Sequence, residues 1–335
     1  MEVYEIQDEF GLDNLVLTER DKPEPGPEEI LIRMRAVSPN YRDVLMIRGH
    51  YNPRQPLPLI PFSDGAGEVV GCGEDVSEFE EGDRVMPIFA QGWQSGEPSK
   101  AKFETTLGGP LDGTLAEYMV VRQEAAVRVP EHLSWAEAAT LPCAGVTAWN
   151  ALFEHGDVHA GDTVVLQGTG GVSMFGTLFA LNAGADVIQT SSSDEKLEKL
   201  REMGVAHTIN YRETEQWGRQ VKKLTGQGAD HIIEVGGAGT LEQSLQALRI
   251  GGHLSMIGVL SGTSQEVSVI PILMRNICVQ GILVGHREMF QRMCRAIEVN
   301  ELHPPMDRVF DFEDLHDGLE WMIDGQHMGK IVFEL

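Results

Sequence analysis

Six residues, Gly168-Thr169-Gly170-Gly171-Val172-Ser173, stand between an apolar run, TVVLQ (163–167), and a run of helical character, FGTLFALNAG (175–184). Glycines at a strand–helix junction permit a tight turn and let the backbone come up against a bound group. The helix that follows presents free N–H groups and the positive end of its dipole, so the expected ligand is the pyrophosphate of a dinucleotide. Ser173 stands where the usual fingerprint has a third glycine, and its small side chain still permits close packing. The competing reading is a glycine turn with a structural role only.

The next strand bears on which dinucleotide. A carboxylate near its end would accept from a ribose 2′-OH. Here the chain reads Thr190-Ser191-Ser192-Ser193-Asp194-Glu195-Lys196. Hydroxyl donors at Ser191, Ser192 and Ser193 with the cation of Lys196 suit a 2′-phosphate, so NADP(H) is favoured over NAD(H). The same serines could cap the following helix, with Asp194 and Glu195 complementing its dipole.

These motifs need a rigid frame. From about Val129, SWAEAATLPCAGVTAWNALFEHG (134–156) reads as helical, with Ser134 and Glu137 spaced as a capping box. Strands and helices then alternate: TVVLQG, FGTLFALNAG, DVIQTS, SDEKLEKLREMG, HTINY, EQWGRQVKKLTG, DHIIEVG, LEQSLQALRIGG and HLSMIGVL. Strict alternation with strands apolar on both sides predicts a parallel, doubly wound sheet. Residues 1–122 instead show short apolar runs broken by Gly and Pro, the texture of a β domain. The polar stretch 90–113 is long enough for a functional or mobile loop. The C-terminal segment reads as helix, loop, helix and a last strand that could return to the first domain.

Lys plus Arg is 26 and Asp plus Glu is 51, a net charge of −25, which argues against nucleic-acid partners and anionic membrane surfaces. The four cysteines (Cys72, Cys143, Cys278, Cys294) include no CxxC pair, which fits a reducing compartment. An acidic N-terminus without an apolar stretch, and no run long enough to cross a bilayer, make the cytoplasm the expected location.

The chain resembles the medium-chain dehydrogenase/reductase superfamily over nearly its full length. The resemblance is carried by EPGPEEILIRMRAVSPNYRD (24–43), GAGEVVGCGEDVSEFEEGDRV (65–85), GTLAEYMVV (113–121), LPCAGVTAWNAL (141–152), VLQGTGGVS (165–173), GADHIIEVGG (228–237) and HMGKIVFEL (327–335). It implies an α/β protein in which a Rossmann doubly wound sheet (125–294) is inserted into a GroES-like β-barrel catalytic domain (1–124, completed by 295–335). Zinc-dependent members carry Cys, His and Cys ligands; the matching positions are Asn40, Ser63 and Cys143, and 90–113 has no cysteine lobe. One thiol of three ligands is a poor zinc site, so the resemblance is to the zinc-free, alcohol-dehydrogenase-like and quinone-oxidoreductase-like branch, and Cys143 reads as a small buried apolar residue.

That branch implies hydride transfer from NADPH to a quinone, an α,β-unsaturated carbonyl or another activated carbonyl. By resemblance, the catalytic candidates are Asn40, Tyr41, Asp43 as an orienting group, and Tyr51 as proton donor; a packing role for Tyr51 is the alternative. The cofactor candidates are Thr147, Gly168, Thr169, Gly170, Gly171, Val172, Ser191, Ser192, Ser193, Lys196, Tyr211, Gly258, Leu260, Leu283, Val284 and Lys330. ICVQGILVG (277–285) reads as an apolar edge strand, which makes a homodimer the expected assembly. Two other readings remain open: an NAD(P)-dependent alcohol dehydrogenase, and a dinucleotide-binding protein without turnover.

Overall fold

Val164, Val165 and Leu166 are all fully buried, as a strand covered on both faces requires. In the computed structural model, which describes residues 1–335, this strand lies inside a six-stranded parallel sheet. The order is His207–Asn210, Asp186–Ser191, Thr163–Gln167, Ala229–Glu234, Leu248–Met256, Cys278–Gly281. Helices Gly171–Asn182, Asp194–Glu202, Trp217–Thr225 and Ala238–Ala247 connect successive strands. The order reverses between Thr163–Gln167 and Ala229–Glu234, and the carboxyl ends beside such a reversal are where a doubly wound sheet leaves its binding crevice. Trp217, Val221, Ile232, Leu245 and Leu254 pack together on one face.

One strand starts earlier than its sequence suggests. The helix expected to run to Gly252 stops at Ala247, and Leu248 is already extended. Gly251, at φ 73°, lets the backbone turn there and donate to the Arg275 carbonyl at 2.8 Å.

The second unit is built on seven strands. Met306–Asp311, Lys330–Glu334, Glu29–Ser38, Asp64–Cys72, Arg84–Pro87 and Ala126–Arg128 follow in that order, and Tyr118–Arg122 pairs with Glu29–Ser38. The last strand does return to this unit, with Phe333 opposite Val37. The loop 90–113 is folded on itself: Trp93 and Leu107 are buried, and Lys102 donates to the Ser95 and Glu97 carbonyls at 2.8 and 2.6 Å.

The chain divides into 1–146 with 285–335, and 147–284, so the boundaries lie inside those expected at 124/125 and 294/295. The reason is packing: the helix Trp135–Ala139 lies on the strands Glu29–Ser38 and Asp64–Cys72, and the helix Arg287–Val299 on Ala126–Arg128. The helix expected over 134–156 is also not regular. After Trp135–Ala139, capped by Ser134 and Glu137, it continues through π-helical turns at Leu141–Gly145 and Asn150–Glu154. No helix is long and apolar enough to cross a membrane.

Candidate functional site

Pro39 and Asn40 lead from a buried strand into the helix Tyr41–Ile47. Asp43, three residues into that turn, accepts from the Asn40 N–H at 2.7 Å, which fixes where the Asn40 side chain begins. Lys330, 4% exposed, comes from the returning strand and donates to the Pro39 carbonyl at 2.6 Å and to Asn40 Oδ1 at 2.7 Å. Its Nζ is 3.6 Å from Asp64 Oδ2. Asp64, fully buried, also accepts from Ser63 Oγ at 2.8 Å and from the Cys143 N–H at 3.2 Å, the latter supplied by the first π-helical turn. Asn40 and Asp64 therefore flank one ammonium group, and the Cys143 N–H holds the same Asp64 carboxylate.

Burial pushes both carboxyls up from the usual carboxylate range. Asp43 is raised to about 6, with Arg42 and the Asn40 N–H pulling against burial, and Asp64 is raised by burial against Lys330 and its hydrogen-bond donors. Withdrawal from water and the neighbouring Asp64 push the Cys143 thiol up, opposite to what an activated nucleophile needs. Arg42 donates to the Leu107 and Gly109 carbonyls at 2.8 and 3.1 Å, pinning the long loop. Its guanidinium faces the rings of Tyr51 at 5.0 Å and Phe89 at 4.9 Å. Tyr41 and Tyr51 are 44% and 45% exposed, so each could meet a ligand from solvent.

In the unit 147–284, Gly168 has φ 70° and begins the turn; a Cβ at Gly168 or Gly170 would meet nothing within 4 Å. That open backbone at the start of Gly171–Asn182 is a cradle a pyrophosphate fits. Thr169 is buried, Gly171 and Val172 open the helix, and Ser173 donates to the Gln167 carbonyl at 2.6 Å. Close approach of helix to sheet is made three residues later, at Gly176, where a Cβ would lie 2.6 Å from Leu166 Cδ2. Its signal in the sequence was only a glycine inside a helical run.

At the next strand end Ser193 caps the helix by accepting from the Lys196 N–H at 3.3 Å, and Ser191 Oγ accepts from the Ser193 N–H at 3.2 Å. Ser191 and Ser193 thus accept from backbone N–H groups and keep their hydroxyl hydrogens to donate, with Ser192 half-buried between them. The Tyr211 N–H donates to the Ser191 carbonyl at 3.1 Å, with its ring 42% exposed. Thr147 is buried on the short helix Val146–Trp149. Gly258 crowds the Val235 carbonyl, while Leu260 and Leu283 are exposed. Val284 sits at φ 51°, rare for a β-branched residue, and its carbonyl accepts from Asn150 Nδ2 at 2.7 Å. Asn150, at the second π-helical turn, had no signal in the sequence.

The comparisons agree with this geometry. The alcohol dehydrogenase GroES-like domain model matches residues 26–131, and the zinc-binding dehydrogenase model matches residues 171–298. A zinc-type alcohol dehydrogenase-like protein of Schizosaccharomyces pombe is 44% identical over 342 residues, covering 99% of both chains. The chain belongs to the medium-chain dehydrogenase/reductase superfamily. A solved Sinorhizobium meliloti 1021 protein, named provisionally as an alcohol dehydrogenase, superposes with TM-score 0.92 at 42% identity, covering 100% of this chain and 98% of that one. An NAD-dependent alcohol dehydrogenase superposes with TM-score 0.91 at 28% identity over 100% of both chains. This dehydrogenase/reductase is an NAD(P)-dependent oxidoreductase of alcohol-dehydrogenase-like type.

The superfamily's zinc can be tested against the residues present. An amide at Asn40, a hydroxyl at Ser63 and a thiol with a raised pKa at Cys143 are weak donors, and no three His, Cys, Asp or Glu side chains converge to share a metal ion. The donor set does not fit zinc. Lys330 brings a positive charge of the chain's own into the same cluster.

Proposed function

We propose that the protein is a zinc-independent reductase that prefers NADPH and delivers hydride to a quinone, an α,β-unsaturated carbonyl or another activated carbonyl. The observation that carries this reading is the buried Lys330 ammonium between Asn40 and Asp64, a fixed cation where the matching positions lack a zinc donor set. The nicotinamide cofactor, once bound, supplies the hydride and keeps the electron balance. The chain's task is to bind, orient and stabilise developing negative charge on the acceptor oxygen. Lys330 holds Asn40, and Asp43 holds the turn that carries it. The completing proton comes from solvent or from Tyr51, which Arg42 holds in place.

The preference for NADPH is supported by the missing carboxylate at the end of Asp186–Ser191, by Ser192, and by the exposed Tyr211 ring. The test is oxidation of NADPH and NADH by chelator-treated protein across quinones, enones and aldehydes. Turnover that survives chelation and is faster with NADPH is expected. Turnover restored only by zinc, with an alcohol as substrate, would instead establish the second reading, an alcohol dehydrogenase, which the relatives' names favour.

The assembly we propose is a homodimer through the sheet edge. Cys278–Gly281 ends the six-stranded sheet, and Val269, Ile270, Leu273 and Met274 beside it are each more than half exposed (69%, 65%, 79% and 73%). Four free cysteines suit a reducing compartment, in keeping with the cytoplasm.

A further inference from the structure

We propose that Glu234 is a positioning residue whose buried carboxylate sets the placement of two backbone segments that receive the dinucleotide. The inference rests on the reading that the chain binds NAD(P). Glu234 ends the strand Ala229–Glu234, next to the reversal of strand order, and is fully buried with no cation paired to it. Its charge is met by hydrogen bonds alone. Oε1 accepts from the Gly236 and Gly237 N–H groups at 2.8 and 2.9 Å and from Thr240 Oγ1. Oε2 accepts from Gln167 Nε2 at 2.8 Å and from Ser244 Oγ. Gln167 then closes the circuit: its Oε1 accepts from the Val235 and Gly236 N–H groups, each at 3.2 Å.

Each partner leads to a different part of the site. Gln167 is the residue before the glycine turn, and its carbonyl accepts from Ser173 inside that turn. Residues 235–237 are locked to 258–262: Leu260 donates to the Val235 carbonyl at 3.2 Å, Ser261 to Gly236 at 2.7 Å, and Ala238 to Gly262 at 3.0 Å. Gly237, at φ 81°, lies so close to the Gly262 and Gly258 carbonyls that a Cβ would fall 2.8–2.9 Å from them. One carboxylate therefore fixes the turn expected to hold the pyrophosphate and the segment that carries the cofactor candidates Gly258 and Leu260. Three of the five donors, the Gly236 and Gly237 N–H groups and Gln167 Nε2, cannot accept. A donor in place of the carboxylate could turn only to the Thr240 or Ser244 hydroxyl, and Ser244 Oγ already accepts from Gln167 Nε2 at 2.7 Å.

The test uses the full-length protein. In Glu234→Gln the new amide N–H₂ faces either Gln167 Nε2 or the backbone donors, which cannot accept, and it breaks their hydrogen bonds even where the Thr240 or Ser244 hydroxyl turns to receive it. The NADPH dissociation constant, read by nicotinamide fluorescence, should rise at least tenfold in the folded variant. The double variant Glu234→Gln/Gln167→Glu reverses the polarity of the pair and lets the amide donate to the new carboxylate, which still accepts from Val235 and Gly236. It should return the constant to within about threefold of wild type. Thr240→Val removes one donor without stranding the charge and should weaken binding by less than the single Gln substitution. It keeps the test open if Glu234→Gln does not fold. An unchanged constant in every folded variant, or no recovery in the double variant, would overturn the proposal. Failure of the wild-type protein to bind either NADPH or NADH would overturn the reading beneath it instead.

Discussion

At the scale of single residues, the decisive placement is Lys330 against Asp64. Both are buried, and loss of one member of such a pair leaves an uncompensated charge costing about 3–5 kcal/mol. Lys330→Met should therefore destabilise the protein by about 3 kcal/mol at pH 8. The loss should shrink as the pH is lowered from there, because burial raises Asp64 and its carboxyl sheds its charge sooner than an ordinary one. Urea unfolding across that pH range measures this, and equal losses throughout would exclude Asp64 as the group left exposed to the change. Asp43 makes a second prediction. Its folded pKa of about 6 lies above the ordinary 3.8, so the folded state holds this proton more tightly than the unfolded chain does. Its contribution is thus present at low pH and lost as pH rises through the interval from 3.8 to about 6, by about 3 kcal/mol in all. Asp43→Asn, compared with wild type across pH 4–7, should remove that component of the slope.

At the scale of elements, helix and sheet meet through glycine where the usual fingerprint glycine is Ser173. Gly176 lets the helix Gly171–Asn182 lie against Leu166 and Ile233, with a Cβ position only 2.6 and 3.3 Å from their side chains. Gly176→Val should cost about 1–3 kcal/mol by overpacking and tilt the helix N-terminus, so both the unfolding midpoint and cofactor affinity should fall. A valine tolerated with no change in either would mean the helix approach is looser than this distance implies. The broken helix of 135–154 follows the same logic. Its π-helical turns bring the Cys143 N–H to Asp64 and the Asn150 amide to the Val284 carbonyl, which a regular helix would not do with the same residues.

At the scale of the whole molecule, the exposed apolar side chains beside the sheet edge argue for a second copy. Sedimentation equilibrium should give twice the 36.9 kDa chain mass. Leu273→Glu, at a side chain 79% exposed, should yield monomers without lowering monomer stability by more than about 0.5 kcal/mol. A wild-type monomer would leave the apolar patch for another partner.

Much of this protein was determined by the sequence on its own. Alternating strands and helices and the glycine turn at 168–173 are local patterns, and apart from element ends such as Ala247 they lie where periodicity and turn chemistry place them, because a strand buried on both faces and a helix N-terminus announce themselves in consecutive residues. What only the tertiary structure decided depends on residues far apart in the chain. Lys330 reaches Asn40 across 290 positions, Cys143 reaches Asp64 across 79, and Gln167 reaches Glu234 across 67. No spacing rule links such pairs. They arise because the strand Lys330–Glu334 pairs with Glu29–Ser38, and because parallel neighbours in a sheet bring their carboxyl ends to one edge. Buried polar atoms must then find partners wherever the fold has put them.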